Sequence, residues 1–257
     1  MIISLPVRFY QATPTSNPRG LVEETWRLDT ARTAFVPLHC WNVGMEGGTP
    51  VPEEYWVDLG SPQNHAMGAA VLRDAIEPCL RRARAVGMTV AHVQSILVAM
   101  RYPNSWLKEP PSEVASASSP PPISNHASER ASRVHGEGYM DWPGWDALDF
   151  PECVRPAEGE IVVTETDALD RSLRNRQIDT LLFAGFCTNL CILDSPAAMK
   201  AMAGRGYRCV LLREATAAVE FPDTLEQRIN TQVAIRYIEA WVGYSASVTD
   251  LLAADPG

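Results

Sequence analysis

The sequence predicts an α/β protein built on a mainly parallel sheet. Three observations carry that prediction. Short apolar runs of strand character recur along the chain, among them TAFVPL, MTVAHVQ, EIVVTE, DTLLFAG and YRCVLLRE. Segments with helical apolar spacing alternate with them, and such alternation means βαβ units and parallel strands. The chain has 257 residues, 46% hydrophobic and 21% charged, enough to bury a large core within one domain.

The elements follow in order. Residues 1–31 read as an N-terminal extension of two β-prone pieces, IISLPVRFYQ and VEETWRLD, around a Pro-containing turn. TAFVPL is a core strand ending at His39, Cys40, Trp41 and Asn42, followed by the Gly/Pro-rich loop GMEGGTPVPEEY. From Pro62 to Val86, apolar residues at helical spacing (Ala66, Ala69, Ala70, Leu72, Ile76, Leu80, Ala83) predict one amphipathic helix closed by Gly87. MTVAHVQ is the next strand. Around 103–156 the pattern dissolves into a Pro/Ser-rich stretch and then the aromatic, turn-rich YMDWPGWDALDF. A long irregular excursion of this kind is a lid, a binding loop or a mobile surface loop. The stretch from Lys108 to His135 is expected to be poorly ordered or to lie over the site mouth, because it buries too little apolar surface. Alternation then resumes: EIVVTE, the helix DALDRSLRNRQ, DTLLFAG, a helix from Cys191 to Ala203, YRCVLLRE, the helix TLEQRINTQVAIRYIEAWV, and a final short strand and helical turn in YSASVTDLL. The expectation is a single domain over 1–257.

Charge and composition exclude several classes. A net charge of -9 argues against nucleic-acid or anionic-membrane partners. No apolar run approaches the ~20 residues of a membrane span. The start lacks a secretory n-region and h-region, and six scattered cysteines make no small-domain disulfide framework. A cytoplasmic protein with reduced thiols is expected. There is no P-loop and no G-x-G-x-x-G.

The chemistry concentrates in LLFAGFCTNLCILDSPAAMKA, Leu181 to Ala201. Cys191 stands where a buried strand gives way to a helix. Unpaired N–H groups and a helix dipole there favour thiolate, the nucleophilic form, and can hold an oxyanion once the sulfur attacks a carbonyl. In parallel sheets ligands bind at the carboxyl ends of the strands. His39, Glu165 and Cys191 all fall at or just beyond such ends. A buried inert thiol is the plainer alternative. A redox pair of Cys187 and Cys191 is a third, although the spacing is not C-x-x-C.

Ala184 to Ile192 (AGFCTNLCI), with Ser195, Ala197, Gly206-Tyr207 and Glu214-Ala215-Thr216, resembles the isochorismatase-like cysteine hydrolases, whose signature reads G-x-x-T-N-x-C-V, then G-Y and D-A-T. The resemblance implies a three-layer α/β/α sandwich of Rossmann-like topology around a mainly parallel sheet. It implies hydrolysis of a C–N, amide-type bond of a small molecule through a thioester on Cys191. It also implies a non-proline cis peptide near Phe186–Cys187, with the N–H groups of Cys187 and Cys191 as the oxyanion hole. Where the family carries Asp at the end of its first core strand, this chain has His39. Where the family carries Lys, Glu165 is the best match, with Thr164 one register away. Either the triad is rewritten as Cys191–His39–Glu165, with a carboxylate orienting an imidazole base, or the site is silent and the protein is a binding or scaffold relative. Trp41, Asn42, Thr188, Tyr139, Trp142 and Trp145 are candidate substrate-binding residues. The nicotinamidase metal cluster is reduced to His92, and His65, His126 and His135 are isolated, so no metal and no cofactor are expected. A homo-oligomer is expected.

Overall fold

The computed structural model describes residues 1–102 and 124–255. Eight strands form one sheet: β1 Ile2–Gln11, β2 Gly20–Asp29, β3 Thr33–Leu38, β4 Thr89–Val93, β5 Ile161–Val163, β6 Thr180–Phe186, β7 Arg208–Ala217 and β8 Tyr244–Ala246. Their spatial order is β2-β1-β8-β7-β6-β3-β4-β5. From β8 to β5 every pairing is parallel, and only the β1–β2 hairpin and its junction with β8 are antiparallel. β3 and β6 are buried along their whole length, which their continuous apolar runs, TAFVPL and TLLFAGF, permit in the middle of a covered parallel sheet.

Helices cover both faces, giving the α/β/α sandwich. One face packs on α1 (Pro62–Val71), α2 (Glu77–Ala85) and α9 (Val248–Ala253), through Val71, Leu80 and Leu251. The other packs on α5 (Thr166–Arg174), α6 (Cys191–Asp194), α7 (Met199–Gly204) and α8 (Ile229–Trp241), through Leu169, Met202 and Ile238. The short α3 (Ile96–Ala99) and α4 (His126–His135) flank the segment 103–123. The N-terminal hairpin is an integral part of the sheet. Arg8 donates to Glu239 at 2.7 Å, and Ser245 donates to the same carboxylate oxygen at 2.7 Å, locking β1 to β8 and α8.

Three helices differ from the sequence expectation. The helix expected over 62–86 is interrupted by a π turn at Leu72–Ile76. Pro78 has no N–H to give Asp74, and the wider turn absorbs the missing bond. The helix expected from Cys191 to Ala203 is two short helices, because Pro196 and Ala197, at φ +61°, break it. The last long helix starts at Ile229 rather than Thr224, after Arg228 at φ +51°. Of the loop expected from Lys108 to His135, residues 108–123 lie outside the described residues. The remainder contains α4, none of whose residues is buried.

Candidate active site

The carboxyl ends of β3, β4, β5 and β6 meet at one rim. Gly185, at φ +116°, lets β6 pass close under β3, since a Cβ there would overlap the Leu38 carbonyl oxygen. The Phe186–Cys187 peptide that follows is cis. The chain turns through Thr188 and Asn189, and the Cys187 carbonyl accepts from both Leu190 and Ile192 at 3.1 Å. Cys191 then opens α6 with its thiol half-buried.

The Cys191 sulfur faces the N–H of Cys187 and its own N–H, and beside it stands the Ser195 hydroxyl, which donates to the Cys191 carbonyl at 2.7 Å. These donors pull its pKa down, but burial and the nearby Asp58 carboxylate outweigh them and hold the thiol above its ordinary value. The resting group is therefore a thiol rather than the thiolate expected from a helix N-terminus. The reason is physical: α6 has only four residues and brings little dipole, while desolvation penalises charge.

His39 follows β3 in the left-handed region, at φ +47°. Its N–H donates to Val93 at 2.9 Å, and its ring stacks on Trp41 with centroids 5.5 Å apart. Burial lowers its pKa to about 4, so the imidazole is neutral at pH 7. Its Nδ1 is buried and has no hydrogen-bond partner among the described residues. Glu165 precedes α5 as an exposed residue whose side chain makes no capping bond. Thr164 is half-buried beside it. Cys191 and His39 thus follow the neighbouring strands β6 and β3, while Glu165 follows β5, with β4 between it and β3. Among the described residues no hydrogen bond joins the three side chains.

Of the candidate substrate-binding residues, Trp41 donates its indole N–H to Gln94 at 2.9 Å. Gln94 in turn donates to the Cys40 carbonyl at 3.3 Å, so this buried amide ties the ends of β3 and β4. Trp41, Trp142 and Trp145 pack on one cluster around Val43, Leu148 and Phe150, and Trp145 donates to the Tyr139 carbonyl at 2.8 Å. Asn42 is engaged by the loop: its amide donates to Ala147 at 3.3 Å and its carbonyl accepts from Asp149 at 3.1 Å. Thr188 is fully buried, its hydroxyl 2.7 Å from that of Thr216. It ties β6 to β7 and presents no free donor to a ligand.

Sequence reasoning missed Asp58 and His65. Asp58 sits in the turn before α1, its side chain only 8% exposed, with Oδ2 4.0 Å from His65 Nδ1. Burial raises its pKa to about 7, and one backbone N–H, from Leu59, opposes that rise. Its only signal in the sequence is an acid between apolar residues in WVDLGSP, a pattern that reads equally well as an exposed turn. Among the described residues, no group of three His, Cys, Asp or Glu side chains is arranged to hold a metal ion. No described helix is long and apolar enough to cross a membrane.

A parallel α/β/α sandwich with a cysteine at the carboxyl end of its central strand defines the class. The chain belongs to the isochorismatase family: residues 53–234 match the isochorismatase domain. Its fold is similar to that of a cysteine hydrolase from Pseudomonas syringae pv. phaseolicola 1448A, with a TM-score of 0.56 and 16% identity over 88% of this chain and 93% of that one. It is also similar to an isochorismatase from Pseudomonas putida KT2440, with a TM-score of 0.50 and 16% identity over 86% of this chain and 91% of that one. No curated protein matches the chain. The family match covers Asp58, Glu165, Cys187 and Cys191 and excludes His39.

Proposed function

We propose that the protein hydrolyses a C–N, amide-type bond of a small molecule through a thioester on Cys191. One observation carries the reading: the Cys191 sulfur shares its position with two backbone N–H groups, those of Cys187 and Cys191. A carbonyl attacked there leaves its oxyanion beside donors already in place. His39 takes the thiol proton on its unpartnered Nδ1, which is free at pH 7. Glu165 supplies a counter-charge to the imidazolium, and Trp41, Asn42, Tyr139, Trp142 and Trp145 wall the pocket. Water then hydrolyses the thioester.

Kinetics on a panel of small amides test this. Cys191→Ala abolishes turnover. Glu165→Gln lowers the rate with little change in stability. His39→Asp combined with Glu165→Lys retains more activity than either single change, since each single change leaves unmatched charge around the thiol. Additive losses would separate the two residues from a common site. The silent reading draws on the missing hydrogen bonds between the three side chains and on the raised thiol pKa. It prevails if the parent shows no turnover on the panel. A cytoplasmic location and a homo-oligomer belong to the same proposal. All six cysteines are free, which supports the first. An exposed apolar row on α8 (Ile229, Val233, Tyr237, Trp241) supports the second, and light scattering tests it.

A further inference from the structure

Asp58 has no part in the chemistry above, although the fold builds its position with care. It lies in the left-handed region at φ +52°. The turn around it closes through Gly60 N–H to Val57 at 2.8 Å. Asn64 donates to the Leu59 carbonyl at 2.9 Å and to the Glu220 carbonyl at 2.8 Å, fastening the turn to the segment after β7. Asn189 accepts from Val219 N–H at 3.1 Å, fastening the same segment to the turn that carries Cys191. The Leu59 side chain packs on Gly68 beside the Phe186 ring, next to the cis peptide. The turn that carries the acid and the turn that carries the nucleophile are thus fastened to one segment, Val219–Glu220.

The groups around the Asp58 carboxylate come from four elements. Cys40 follows β3, Cys187 follows β6, Cys191 opens α6, and the charge of Asp58 bears on all three thiols. His65 on α1 is the fourth, 4.0 Å away. Its Nε2 lies 3.2 Å from the Val57 carbonyl, which only accepts, so that nitrogen carries the hydrogen. The Val43 carbonyl also faces this ring, and burial keeps the imidazole neutral. Its Nδ1 side is turned to Asp58.

We propose that Asp58 is a further catalytic residue of this site: the general acid that protonates the leaving nitrogen as the C–N bond breaks, with His65 as its positioning residue. The proposal rests on the reading of Cys191 as nucleophile. Acid and base in one site need environments that push them in opposite directions. Burial drives His39 to about 4, an empty base, and Asp58 to about 7, a loaded acid at neutral pH and below.

The steps balance. Cys191 Sγ bonds to the carbonyl carbon and its proton passes to His39. The C–N bond breaks with its electron pair on nitrogen, and the Asp58 proton moves to that nitrogen, releasing the amine. Water attacks the thioester and gives a proton to the Asp58 carboxylate. The S–C bond breaks and the sulfur recovers the proton from His39. One water is consumed, and one acid and one amine are formed.

The test compares leaving groups on the full chain. p-Nitrophenyl acetate expels a nitrophenolate that needs no proton, whereas small primary amides need one. At pH 6, where the parent Asp58 is protonated and as uncharged as the amide, Asp58→Asn is expected to lower amide turnover by about 100-fold or more while acetylation of Cys191 by the ester stays near the parent rate. A thermal melt of the variant reports that it is folded. Asp58→Glu recovers part of the amide rate. Parent amide turnover falls as pH rises through about 7, more steeply than ester acetylation, which feels only the Asp58 charge on the thiol, and the inflection is moved by His65→Gln. Equal loss on ester and amide, or no loss on either, overturns the general acid, as does a parent that is acetylated by the ester yet hydrolyses no amide. Absence of any Cys191 adduct in the parent overturns the nucleophile, and the general acid with it.

Discussion

Glu160 and Asp58 are both largely buried beside a buried histidine, yet they titrate in opposite directions. Glu160 accepts from Arg84 Nε at 2.7 Å on one oxygen, and on the other from a second Arg84 nitrogen at 2.9 Å, Ala157 N–H at 2.8 Å and His92 Nε2 at 3.0 Å. Burial would raise its pKa, but Arg84, His92 and Ala157 win and hold it at about 2. Among the described residues Asp58 has only the Leu59 N–H against its burial, and it rises to about 7. Donors outweigh burial at Glu160, while at Asp58 deeper burial meets too few of them. A saturated acid clamps structure, here α2 to β4 and β5. An undersupplied one keeps a proton to give.

The largest expected effect falls on the clamp. Glu160→Ala leaves Arg84 and His92 without their partner and should cost about 3–5 kcal/mol, lowering Tm by roughly 10 °C in a thermal melt. Alkylation of Cys191 by iodoacetamide should be unchanged. An unaltered Tm would break the comparison.

Asp58→Asn should do the opposite. The folded pKa of Asp58 stands above the unfolded one, so the folded protein binds more protons between about 4 and about 7. Stability is lost as pH rises through that window, by up to about 4 kcal/mol. The asparagine variant should therefore melt higher than the parent at pH 8 and alike at pH 3.5. His39 is the converse case. Its folded pKa lies below the unfolded value, so stability is lost as pH falls from about 6.5 to about 4. His39→Gln should remove that dependence, an effect of about 2 kcal/mol once the partly open ring edge is discounted. The smallest effect concerns Thr188. Thr188→Val should cost about 1 kcal/mol through the lost Thr216 bond and leave the substrate KM unchanged.

The same contrast explains what was legible in the sequence. Strand β6 announces itself through TLLFAGF, because a strand covered on both faces must be apolar throughout. Cys191 is legible because it stands at the end of that strand within a recognisable signature, and the cis peptide and N–H donors follow locally. The breaks at Pro78 and Pro196 depend on how the chain repairs a missing N–H, which spacing alone does not reveal. Asp58 was hidden for a stronger reason. Its environment is assembled from β3, β6, α1 and α6, and nothing within WVDLGSP records the company it keeps. Thr188 shows the reverse: the T-N pair is plain in the sequence, but its partner Thr216 lies 28 residues on. A hydroxyl offered to a ligand and one already used look alike.

The central claim is that Cys191 carries the acyl group. Rapid acid quench of the parent with each small amide, followed by peptide mass mapping, tests it most directly. A covalent acyl adduct that appears on the Cys191 peptide within the first turnover and is absent from Cys191→Ala is the predicted result. Amide turnover that persists in Cys191→Ala, or that proceeds in the parent with the adduct on another residue, would contradict it.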